Sequence, residues 1–252
     1  MLDHLSQRTL GGVTVLDHVT GRPTSRQVEF RSDSLEFART NSGIFQIKSA
    51  PDFEGYVKAF QSPAPIQISD FSYEIHDNTR HFLPVASTIS LPRNVSPDAV
   101  SDRVDTPIEV ELPSAPSRPI AVGYTLCRVS VADQNGVPIQ GVLVQALKPG
   151  TTDEIAWGVS AQNGEALIPI LGIALLKTVD PGPDPDPGAD EELTSSQTPI
   201  RLSLTVDATQ PWPANPQTLR AGGGSLKTMT DTTNLTLTAG GNVHRALTLD
   251  LS

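Results

Sequence analysis

The sequence predicts an all-β protein of two tandem β-sandwich modules, and three observations carry that expectation. Apolar and polar residues alternate at period two along most of the chain, while apolar runs at i, i+3, i+4 and i+7 are nearly absent. Turn formers are abundant, with 22 prolines and 19 glycines in 252 residues, as many short strands joined by turns require. The two halves of the chain also repeat one order of strand and turn residues.

The length suffices for two ordinary domains, each burying a core without disulfide or metal staples. Residues 1–91 are expected to form the first module, 92–119 a proline-rich linker or arm, and 120–252 the second module. Alternation between turn residues places strands at 12–16, 26–30, 43–48, 55–60, 66–75 and 85–91 in the first half. In the second half it places them at 124–132, 142–147, 155–160, 165–170, 200–206 and 243–251.

The repeat has two markers. Val13, Thr14, Val15, Leu16 and Asp17 lead to Gly21, Arg22 and Pro23, just as Val129, Ser130, Val131, Ala132 and Asp133 lead to Gly136, Val137 and Pro138. Further on, Ser42 and Gly43 enter the run Ile44 to Ile47, as Asn163 and Gly164 enter Glu165 to Ile168. An Asp or Asn side chain hydrogen-bonds its own backbone in a turn, Gly accepts positive φ, and Pro fixes the start of the next extended segment. A duplicated module explains both markers together.

This order of strand, Asp-x-x-Gly-x-Pro, strand, loop and Asn-Gly before an apolar strand resembles the carboxypeptidase regulatory-like or transthyretin-like family. The closer match is 129–170 and the looser one 13–48. The resemblance implies two tandem Greek-key β-sandwiches, immunoglobulin-like or prealbumin-like, that serve as structural, folding or ligand-presenting appendages. The first copy has one extra residue in its Asp to Gly turn, and the second carries long insertions.

Within the proline-rich segment, Ile108, Glu109, Val110, Glu111 and Leu112 alternate cleanly. Such a segment adds to an exposed sheet edge either in its own chain or in a neighbour, which makes Ile108, Val110 and Leu112 candidate partner-binding residues. The acidic loop 180–192 offers Asp184, Asp186 and Asp190 as candidate calcium ligands, since closely spaced carboxylates are hard oxygen donors. Interleaved prolines and the lack of a D-x-[DN]-x-[DN]-G order favour a solvated loop there, and no other cofactor is expected. The long loop 207–234 holds Trp212, either a lid on the sandwich or an exposed partner contact.

Catalytic signatures are missing from the sequence. His4, His18, His76, His81 and His244 fit no metal-ligand spacing. His76 and His81 flank Asp77 in what reads as a polar hairpin. No nucleophile elbow, phosphate loop or dinucleotide fingerprint occurs, and Gly222, Gly223 and Gly224 lack the spacing of a phosphate cradle. Cys127 is the sole cysteine, which excludes an internal disulfide and reads as a small buried side chain.

A net charge of −10 and an aromatic content of 5% argue against a nucleic-acid partner. The stretch 166–176, broken by Pro169 and Gly172, is too short to span a bilayer. The amino-terminal MLDHLSQRTLGG lacks the pattern of a secretory signal, so synthesis in the cytoplasm is expected.

Together these features predict a non-enzymatic structural component of a multi-subunit assembly, such as the baseplate, tail or appendage of a phage-tail-like or contractile injection particle. Its partners would be proteins, further copies of itself included, with release as part of the particle. Two alternatives stand beside it: a carbohydrate- or peptide-binding module using Trp212, Tyr73 and the loop tips, and an accessory domain of an enzyme complex.

Overall fold

The computed structural model describes residues 9–24, 27–58, 67–93, 106–173, 176–178, 193–195, 197–209, 212–222, 225–231 and 233–251. The chain divides into two compact units, Met1–Pro113 with Pro213–Asn215, and Ser114–Trp212 with Pro216–Ser252. Both are all-β in character, and the described helices are short.

The first unit contains β1 (Gly11–Asp17), β2 (Val28–Arg31), β3 (Glu36–Arg39), β4 (Phe45–Ser49), α1 (Glu54–Lys58), β5 (Ser69–Asp77), β6 (Val85–Leu91) and β7 (Ile108–Leu112). One sheet has the order β3-β4-β1-β7 and the other β2-β5-β6. Between them lies a sandwich core in which Val13, Val15, Ile47, Val110 and Leu112 from the first sheet meet Tyr73, Ile75, Val85, Ile89 and Leu91 from the second. Strict alternation along each strand delivers these side chains to one face.

The second unit contains β8 (Tyr124–Ala132), β9 (Leu143–Leu147), β10 (Glu154–Val159), β11 (Glu165–Leu171), β12 (Leu176–Thr178), β13 (Leu193–Ser195), β14 (Gln197–Asp207), α2 (Pro216–Ala221), β15 (Leu226–Thr230), β16 (Leu235–Thr238) and β17 (Asn242–Thr248). Its sheets run β11-β8-β17 and β10-β9-β14-β15, with β16 pairing β14 and β12 pairing β13. Cys127, Val129, Val131, Ile168 and Ile170 pack against Val144, Ala146, Leu202 and Leu204.

The repeat read from the sequence reappears bond for bond. Asp17 N–H donates to Arg22 O at 2.9 Å and Asp133 N–H to Val137 O at 2.8 Å, each acceptor being the residue before the proline. Across each turn Pro23 bridges to Leu16 and Pro138 to Ala132. At the second marker, Gly43 N–H donates to Thr40 O and Gly164 N–H to Ala161 O, at 3.1 and 2.8 Å. The strand plan repeats too: β1 and β8 each have an antiparallel neighbour, β4 or β11, and a parallel one, β7 or β17.

Several expectations need correction. The strand expected at 55–60 is helical over Glu54–Lys58, because Phe53 and Val57, one helical turn apart, both enter the core at 2% and 7% exposure. The expected long loop 207–234 contains α2 and β15, and β15 completes the sheet beside β14. Strands β3, β12, β13 and β16 are additional to those expected.

Candidate functional site

The two units differ in the strand that follows β2 and β9, and in the first unit a groove results. In the second unit β10 pairs with β9, keeping consecutive strands in one sheet. The corresponding β3 of the first unit instead pairs with β4, in the sheet opposite β2. The loop between β2 and β3 is pinned by Ser32, whose Oγ donates to Ser72 O at 2.8 Å and accepts from Leu35 N–H at 3.2 Å.

Between β2 and β3 opens a cavity of about 460 Å³ lined by Phe30, Phe37 and Phe45 and edged by Arg31, Asp33, Glu36 and Arg39. The Phe30 ring lies 4.4 Å from both Phe37 and Phe45 and 5.8 Å from Tyr73, centroid to centroid. Phe30 and Phe37 are half-buried, so their rings reach the groove. On β2, Arg31 Nε donates to Glu29 Oε1 at 3.2 Å. That hydrogen bond, with the guanidinium charge, holds the Glu29 carboxyl below its ordinary range. An aromatic floor with both signs of charge at its rim suits noncovalent capture of a ring or extended polar chain.

The sequence-nominated residues fall elsewhere. Ile108, Val110 and Leu112 form β7, parallel to β1 of the same chain. In this chain Val110 and Leu112 are buried at 1% and 0% exposure. Asp184, Asp186 and Asp190 lie outside the described residues. Trp212 is half-buried, neither sealed in a core nor an open platform. Tyr73, offered with Trp212 and the loop tips as a binding residue, is a core residue on β5 at 2% exposure, and burial raises the pKa of its phenol.

His76 and His81 flank the turn that follows β5. His76 Nε2 lies 2.7 Å from Glu74 Oε2, while the Asp77 carboxylate accepts from the Thr79, His81 and Phe82 N–H groups at 2.9, 2.8 and 3.1 Å. Burial works to raise the Asp77 pKa, but these bonds and the Thr79 hydroxyl outweigh it and the net shift is downward. Cys127 is fully buried and desolvation pushes its thiol up to about 11. Among the described residues no group of three or more His, Cys, Asp or Glu is placed to hold a metal, and no helix is long and apolar enough to cross a membrane.

The groove had no signal of its own in the sequence. Phe30, Phe37 and Phe45 are single aromatics on three short strands, and only the pairing of β3 with β4 assembles them. No protein-family model matches the chain, and no curated protein matches it.

Proposed function

We propose that the chain is a non-enzymatic structural component of a larger protein assembly, of the phage-tail-like or contractile injection kind. Its building block is a Greek-key sandwich of the carboxypeptidase regulatory-like or transthyretin-like type, used twice. Synthesis is cytoplasmic and release is with the particle. The observation that supports this reading is the duplication itself, with polar side chains committed to holding turns. Asp17 accepts from Val19 N–H and Thr20 Oγ1, and Asp133 from Asn135 and Val137 N–H. A rigid repeated unit whose carboxylates fix loop geometry is suited to presenting surfaces to neighbours.

Sedimentation of native host lysate with immunoblotting tests it. Recovery in particles of megadalton size is the expected result, and migration near the 26.8 kDa monomer mass would overturn it.

The aromatic groove favours a second reading, a carbohydrate- or peptide-binding module. Offset aromatic contacts contribute about 0.5–1.5 kcal/mol each beyond area burial, enough for a selective weak site. A glycan and peptide array probed with the wild type and with Phe37→Ala separates the two readings. Signals lost in the variant support binding at the groove, and signals unchanged by it exclude the groove.

A further inference from the structure

A sheet edge exposes a row of backbone N–H and C=O groups, and proteins guard such edges with charge, proline, bulges or short length. The described edge strands of five residues or more follow this rule with one exception. Strand β7 carries Glu109 and Glu111, β10 carries Glu154 beside a register shift, and β11 carries Glu165 and Pro169. Strand β15 carries Lys227 and β17 carries Arg245. Strand β6 reads Val85, Ala86, Ser87, Thr88, Ile89, Ser90 and Leu91, with no charge and no proline. It pairs β5 without a shift from Ile75↔Val85 to Ser69↔Leu91, and no described strand pairs its other side.

We propose that β6 is a homotypic docking edge, on which β6 of a second copy of this chain adds antiparallel, centred on Thr88. Charge selects that occupant. Two copies that each carry a net charge of −10 repel least where neither presents an ionised group. Self-pairing of β7 about Val110 would set Glu109 against Glu111 of the second copy, whereas β6 brings no charge to the seam. The nearest carboxylates of the same sheet, Asp70 and Glu74, belong to β5; Asp70 Oδ1 accepts from Ser90 Oγ at 2.5 Å, so its charge is engaged on the outer face one strand in from the seam.

The register also fits. Centring on Thr88 places Val85 opposite Leu91, Ala86 opposite Ser90, Ser87 opposite Ile89, and Thr88 opposite itself. Every pair then joins residues of one face, so the buried Val85, Ile89 and Leu91 extend the core side while the exposed Thr88 and Ser90 stay on the outer side. Two three-stranded sheets become one of six strands, and the two-fold operation closes on itself without propagating.

This inference deepens the assembly reading by naming one contact, and its test is separate. Sedimentation equilibrium of the purified full chain should give a reversible dimer whose mass rises toward twice 26.8 kDa with concentration. Thr88→Lys should shift it to monomer while the far-UV spectrum and melting transition stay unchanged, since position 88 is exposed. Thr88→Cys should form a disulfide-linked dimer on mild oxidation, because directly opposed residues bring their Cβ atoms to about 4.5–5.5 Å, close to disulfide range. Thr230→Cys, on the Lys-guarded edge β15, should not. A purely monomeric chain overturns the proposal, as does a dimer indifferent to Thr88→Lys or equal cross-linking of the two cysteine variants. Recovery of a monomeric purified chain in host particles would sink the β6 contact and leave the assembly reading intact.

Discussion

Two glycines of nearly equal backbone conformation allow a measured separation of strain from steric exclusion. Gly136 and Gly164 have φ of 79° and 77°. A Cβ built on Gly136 meets nothing within 4 Å, whereas one on Gly164 lies 2.4 Å from Val131 O and 3.0 Å from Pro138 Cβ. The contacted carbonyl belongs to β8, and Val131 N–H is itself bonded to Gly164 O at 2.8 Å, so the backbone there has little room to retreat.

Alanine at 136 should therefore cost only the left-handed penalty, about 1–2 kcal/mol. Alanine at 164 carries that penalty plus overpacking of about 1–3 kcal/mol, for roughly 2–5 kcal/mol in all. Urea unfolding followed by tryptophan emission reads this directly, because Trp157 and Trp212 both belong to the second unit and are the chain's two tryptophans. Equal midpoints for the two variants would refute the close approach of the Asn163-Gly164 turn to β8.

Three further outcomes are expected. Leu112→Ala should destabilise the first unit by about 2–5 kcal/mol, lowering its calorimetric transition while leaving the tryptophan transition in place; a loss below about 1 kcal/mol would remove β7 from the core. The Asp77 carboxyl has a folded pKa below its ordinary 3.8, so the stability it contributes is present above that value and is lost as pH falls through the folded pKa. Asp77→Asn should then be less stable than wild type at neutral pH and should converge with it in strong acid; parallel stability curves would show that the turn does not depend on the charge. Native Cys127 should resist iodoacetamide and react only after unfolding, as a buried thiol with a pKa near 11 requires; rapid labelling of the folded chain would contradict its burial.

The sequence carried the architecture where alternation was long and the turn chemistry explicit. Val85 to Leu91, Tyr124 to Ala132 and Ile108 to Leu112 are strands within the expected bounds, and both Asp to Gly to Pro turns fold as their residues dictate. Failures came where tertiary contacts override local pattern. Phe53 and Val57 enter the core one helical turn apart, a spacing that the neighbouring Tyr56, Lys58 and Phe60 disguised as alternation. Leu226 to Thr230 becomes a strand because β14 offers an edge to pair with. Its own sequence, Lys227 and Met229 among threonines, gives no strong period. The groove was illegible for the same reason, since it depends on which sheet accepts Glu36 to Arg39.

Among the described residues, the first strand of each unit lies parallel to the last, β1 beside β7 from Val13↔Ile108 to Asp17↔Leu112 and β8 beside β17 from Leu126↔Asn242 to Ala132↔Thr248. Tension applied through the chain pulls the start of one strand and the end of the other in opposite directions. The bonds between them are then loaded in shear, all together, and cannot open one at a time like a zipper. Resistance to a mechanical pull is consequently built into both units by topology alone, and it is greater in the second, where the paired run is longer.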